Sequence, residues 1–183
     1  MLPDYQLLEA SRLGSVHAAQ DALAEGANVH ALDTNRQSSL HLACIHGHIP
    51  LAELLVSHGA DVNQVFGKRR QSLLHWSAEH NACGMANFLL THGATVNSQQ
   101  SDGSTPLLLA SKHGHHYLVK LLLKHNALIS PRNASQATAR SIAHREGHTT
   151  IVGLIDAASE SRPAHLQAAE QEFNAPHGER YLF

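Results

Sequence analysis

The chain is predicted to be all-α, a solenoid of stacked helix-turn-helix units, and three observations predict it. One set of blocks recurs in order. Leu40-His41-Leu42-Ala43 leads to Gly47-His48, to Leu54-Leu55 and to His58-Gly59-Ala60-Asp61-Val62-Asn63. Leu74-His75-Trp76-Ser77 leads likewise to Phe88-Leu89-Leu90 and His92-Gly93-Ala94-Thr95-Val96-Asn97, and Thr105-Pro106-Leu107-Leu108 to Gly114-His115, Leu121-Leu122-Leu123 and His125-Asn126-Ala127. Second, Gly47, Asn81, Gly114 and Gly147 keep one phase, in steps of 34, 33 and 33 residues. A period in this range marks supersecondary units that cannot bury their apolar faces alone and so stack on their neighbours. Third, aromatic residues make up only 4% of the chain while small aliphatics abound, as helix pairs packed through Ala and Leu require.

These blocks resemble the ankyrin repeat, whose consensus reads Thr-Pro-Leu-His-x-Ala-Ala, then Gly-His, Leu-Leu-Leu and Gly-Ala-x-Val-Asn. The likeness runs over residues 5 to 157 and implies an ankyrin-repeat solenoid with short β-hairpin fingers between its helix pairs. It divides the chain into a repeat domain, 1–157, and a C-terminal extension, 158–183. Residues 5–32 carry helical pieces (Leu7-Leu8-Glu9-Ala10, Gly14, Leu23) without a preceding turn and read as an N-terminal cap. Repeats follow over 33–66, 67–99 and 100–132. One extra residue, within Gln64 to Phe66, falls in an exposed finger, where length changes are tolerated. Asp102-Gly103 is a turn signal, and Asp102 to Leu107 is the stretch nearest to consensus. Residues 133–157, with Thr138-Ala139-Arg140-Ser141-Ile142-Ala143 in place of the Thr-Pro-Leu-His block, form a weaker C-terminal cap repeat. In the extension Pro163 can open a short helix reaching Phe173, and Asn174 to Phe183 reads as a loose tail.

Each repeated residue type has a mechanical task. The Thr105 hydroxyl caps the first helix of its unit and Pro106 is pre-set for its first turn. Gly59 and Gly93, with Asn126 in the same place, supply the left-handed residue that ends the second helix. The leucine triplets face the neighbouring unit.

The formal net charge of −2 hides a segregation. Residues 1–66 hold seven acids against two bases, 67–145 nine bases against two acids, and 146–183 six acids against two bases. In a stacked fold sequence position becomes position along the stack, so an acidic, basic, acidic banding is expected. No apolar run reaches the ~18 residues of a transmembrane helix. Asp4 and Glu9 interrupt any signal peptide at the N-terminus. Cys44 and Cys83 are expected to be reduced thiols, Cys44 at a buried small-residue position, which suits a cytoplasmic or nuclear location.

Histidine is in conspicuous excess at seventeen residues. A metal site would need converging imidazoles and an outer shell, and the repeat register offers a plainer account. His48, His115 and His148 belong to the Gly-His turn. His58, His92 and His125 sit in the last turn of the second helix, near its carbonyl end. The resemblance gives His41 and His75 a structural role, bonded to neighbouring hairpin backbone. His46, His80 and His113 share a position that the family leaves variable on its concave face, and a row of imidazoles there would make binding weakly pH-dependent. Asn63 and Asn97 match the family's hairpin asparagine, which in animal cells can be hydroxylated.

Lys68-Arg69-Arg70 lies in a finger, the element the family uses most for contact, with Glu79, Lys112 and Arg145 on the same side by register. Aromatic and arginine side chains dominate binding hot spots. The candidate partner-binding residues are therefore Phe66, Lys68, Arg69, Gln71, Trp76, His80, Lys112 and His113. No metal and no cofactor is expected, and no catalytic residue: the chain has no Gly-rich phosphate loop, nucleophile elbow or metalloprotease helix motif. Nine bases across the middle band, flanked by acids, are too few for capture of nucleic acid. The reading is a monomeric, non-catalytic protein–protein interaction module (adaptor, inhibitor or assembly factor). Its partner would be a protein of acidic or mixed charge, with no membrane involved. Two other readings are a bacterial effector that imitates a host adaptor, and a self-inhibited binder gated by its acidic tail (Glu160, Glu170, Glu172, Glu179).

Overall fold

The computed structural model describes residues 2–174; the tail expected to be loose lies, from residue 175 on, outside them. Eleven helices and one small antiparallel hairpin are found among the described residues. The chain is all-α, with helices in pairs and one short hairpin, as expected. Its contacts divide it into two units, residues up to 76 with 84–94, and 77–83 with 95 onwards. None of the helices described is long and apolar enough to cross a membrane.

In the first unit, α1 (Pro3–Leu13) and α2 (Val16–Ala24) form one helix pair, and α3 (Ser39–Ile45) and α4 (Ile49–Ser57) the next. The hairpin β1 (Val65–Phe66) and β2 (Gln71–Ser72) follows, then the start of α5 (Leu73–Glu79) and most of α6 (Cys83–Thr91). Helix starts are set by local chemistry. Ser15 Oγ accepts the Ala18 amide and Ser38 Oγ the His41 amide, each satisfying a donor that the first turn leaves orphaned. Leu7, Leu40, Leu42, Leu51, Leu55, Leu73, Leu74 and Leu89 are all at most 2% exposed and form the core. Asn63 Nδ2 donates to the Gly93 carbonyl at 3.1 Å, tying the finger to the turn after α6.

In the second unit, the end of α5 precedes α7 (Pro106–Lys112) and α8 (His116–Lys124), then α9 (Ala139–Arg145), α10 (Thr149–Glu160) and α11 (Ala164–Asn174). Thr105 caps α7 through the Leu108 amide, with Pro106 in the first turn. Thr138 and Ser141 form a reciprocal capping box on α9. Leu107, Leu108, Leu118, Leu122, Ile142, Ile151 and Ile155 fill the interior. Asn97 Oδ1 accepts the Leu128 amide at 2.8 Å, the counterpart of the Asn63 tie. The left-handed positions fall where the register puts them: φ is +91° at Gly59, +87° at Gly93 and +64° at Asn126.

Candidate protein-binding surfaces

Five of the eight candidate residues belong to the first unit. Val65 pairs with Ser72 and Phe66 with Gln71, so the finger tip is the four-residue loop 67–70, bent by left-handed Gly67 and Arg70. In the repeat before it, Leu32 bridges Ser38 and the Asp33 amide donates to the Gln37 carbonyl, which leaves three residues at the tip. The inserted residue thus lengthens the tip itself and puts Lys68, Arg69 and Arg70 in solvent. Phe66 is only half exposed, because its ring meets that of His41 edge-on at 3.8 Å between centroids. Gln71 and Trp76 are half-buried as well.

His41 shows what such packing does to chemistry. Burial drives its pKa down to about 4, against the opposing pull of the Asp33 carboxylate. The ring is therefore neutral at pH 7 and bonds the Gln37 side-chain amide at 3.3 Å. His75, fully buried, accepts at Nδ1 from the Ser72 hydroxyl at 2.7 Å and from the Ser72 amide at 3.3 Å. The His41 ring thus bonds a side chain of its hairpin where main chain was expected, and His75 bonds the Ser72 main chain and hydroxyl. Cys44 is buried and its thiol is pushed up to about 12, which makes it inert as a nucleophile at neutral pH.

The remaining candidates, His80, Lys112 and His113, belong to the second unit, and all three are exposed. Desolvation, then the neighbouring Lys112 charge, holds the His113 pKa below its ordinary value. Glu79 opposes this, while His115 and His80 add to it. His113 also stacks on His115 at 5.8 Å. The cluster presents one fixed cation, Lys112, beside a His113 ring biased towards its neutral form. In the first unit, exposed His46 stacks on His48 at 6.0 Å in the same manner. Among the described residues no group of three or more His, Cys, Asp or Glu side chains is placed to hold a metal ion.

Sequence reasoning missed how the Gly-His turns act. His48 Nε2 reaches the Arg12 carbonyl, His115 Nε2 the Glu79 carbonyl and His148 Nε2 the Lys112 carbonyl, at 3.3, 3.2 and 3.1 Å. Each spans 36 residues and satisfies an orphan carbonyl at the end of the first helix of the unit before. The signal was legible in the constant offset. The rings lie so close that a Cβ at Gly14 or Gly114 would come within 2.6 Å of His48 or 2.8 Å of His148. His58 and His92 meet helix-end carbonyls as expected, at 2.9 and 2.8 Å from Leu54 and Phe88.

Comparison with known proteins agrees with this architecture. The model for ankyrin repeats in three copies matches residues 7–100 and 74–161. Among curated proteins, the Ankyrin repeat and LEM domain-containing protein 1 homolog of Caenorhabditis elegans is 42% identical over 57 residues, 31% of this chain. That stretch is 8% of the relative, so the match covers a small part of its length. Ankyrin repeats are in general protein–protein interaction modules and typically not enzymes. Because the repeat model accounts for well over half of its residues, this chain belongs to the ankyrin-repeat family.

Proposed function

We propose that the chain is a non-catalytic binder that docks an acidic or mixed-charge protein surface, acting as an adaptor, inhibitor or assembly factor. The observation that carries this reading is the tip 67–70. It is a loop lengthened by one residue, braced by the Phe66–His41 contact, and it holds Lys68, Arg69 and Arg70 exposed. A rigid base keeps the ordering entropy lost on docking small. Lys112, exposed at the end of α7 beside His113, offers a second contact of the same sign.

The test is affinity capture from cells with the wild-type chain, with Lys68→Glu/Arg69→Glu, and with Lys112→Glu. The expected result is one set of proteins recovered by wild type and depleted by the finger variant, with a smaller depletion by Lys112→Glu. Equal recovery by all three would sink the proposal.

A further inference from the structure

Helix α11 buries none of its residues, and polar contacts join it to the repeat of residues 100–132. Arg162, one residue before Pro163, donates from Nη2 to the Ala127 carbonyl at 2.9 Å and forms an ion pair with Glu170 Oε1 at 2.9 Å. The same Glu170 oxygen accepts the Ile129 amide at 2.7 Å. Asn174 Nδ2 donates to Ser130 Oγ at 2.8 Å. The pair is enclosed, with side chains 5% and 14% exposed, and Arg162 Nε is buried without a partner.

An eleven-residue helix is too short to persist in water by itself. Its order therefore depends on docking, in which the enclosed ion pair takes part. Removing either member leaves a charge that is costly to keep buried, and the helix relieves that cost by leaving the surface. What it uncovers is specific. The Ala127 carbonyl and the Ile129 amide lie two residues apart, the spacing at which a strand edge offers an acceptor and a donor to one side. Neither Arg162 nor Glu170 is needed to complete α9 or α10, whose caps are Thr138 with Ser141 and the His148 turn.

We propose that residues 162–174 are a detachable strap over the main-chain edge 127–130. Once bared, that edge is a docking site for a partner segment that presents a guanidinium to Ala127 and a carboxylate to Ile129, as α11 does. The docking half rests on the protein-binding reading above; the strap half does not.

Hydrogen exchange and amide NMR on the full chain test both halves. In Arg162→Ala and in Glu170→Ala, protection over 164–174 and at the Ile129 amide should fall by about tenfold or more. Protection at Leu118 and Ile142 should stay within about twofold of wild type. Unchanged protection over 164–174 would mean that Leu166 and Phe173 hold the helix, and the strap is wrong. An equal fall at Leu118 and Ile142 would make α11 part of the core, which also overturns it. A synthetic peptide of wild-type residues 160–174, titrated into Arg162→Ala, should move the Ile129 resonance towards its wild-type position, and a scrambled peptide should not. No movement overturns the docking half alone, whatever affinity capture shows for the finger.

Discussion

At the scale of single residues, most of what decides this chain is where a histidine ring lies. Gly47 and Gly114 share φ of +77°, so alanine at either pays the left-handed strain of roughly 1 kcal/mol. Only Gly114 has a ring over it, that of His148, while nothing lies within 4 Å of Gly47. Gly114→Ala should therefore destabilise by about 1–2 kcal/mol more than Gly47→Ala in urea titration, by overpacking. His148→Ala should recover most of the excess. Equal costs at the two glycines would show that the ring moves aside freely. His41 sets a pH dependence by the same logic. Its folded pKa of about 4 lies below the ordinary 6.5, so between these values the unfolded chain binds more protons than the folded one. Stability from this group is full above pH 6.5 and is lost as pH falls towards 4. Allowing for solvent screening of a ring edge, the loss is of the order of 1–2 kcal/mol. His41→Gln should flatten the slope of stability against pH in that window, and an unchanged slope would assign it to other groups.

At the scale of elements, caps and ties matter more than helix propensity, because seven- and nine-residue helices are far below the length that persists alone. Thr105 is 1% exposed and its hydroxyl serves the Leu108 amide. Thr105→Val keeps the shape and removes the acceptor, and should cost about 1–2 kcal/mol, measured by thermal or urea unfolding. Asn97→Ala strands the Leu128 amide, which is 2.8 Å from Asn97 Oδ1. Its cost should be about 1–3 kcal/mol, with exchange faster first at Leu128 and its neighbours. Thr105→Val leaves that amide alone, so the two variants separate a cap from an inter-repeat tie. Uniform loss of protection in both would mean that neither element opens locally.

At the scale of the molecule, the fold was legible because every repeat assigns the same local task to the same residue type. The period placed Gly59, Gly93 and Asn126 at left-handed turns and Thr105 at a cap without any knowledge of tertiary contacts. The candidate surface was less legible, since its exposure depends on pairings that composition does not encode. Phe66 is a candidate contact residue in the sequence, and nothing there shows that its ring meets His41 beside the Val65–Ser72 pair. The partners of the acidic extension were equally hard to read: Glu170 pairs with Arg162 and accepts the Ile129 amide 41 residues away, a contact with no periodic trace, while Glu160 and Glu172 remain exposed; Glu179 lies outside the described residues. Charge, by contrast, was plain from the start, and it gives the proposed function its most direct physical test. The band 67–145 carries nine of the thirteen Lys and Arg residues of the chain. Exposed charges act through a field that salt screens, with a Debye length that falls from about 30 Å at 0.01 M to about 3 Å at 1 M. Association with an acidic partner should therefore slow by about tenfold or more between low and high salt, while dissociation changes less. Lys68→Glu/Arg69→Glu should flatten that slope, since it reverses two exposed charges of the finger tip. Stopped-flow or surface-capture kinetics with the recovered partner measures both rates. An association rate indifferent to salt in the wild-type chain would mean that apolar contact, and not the basic finger, selects the partner.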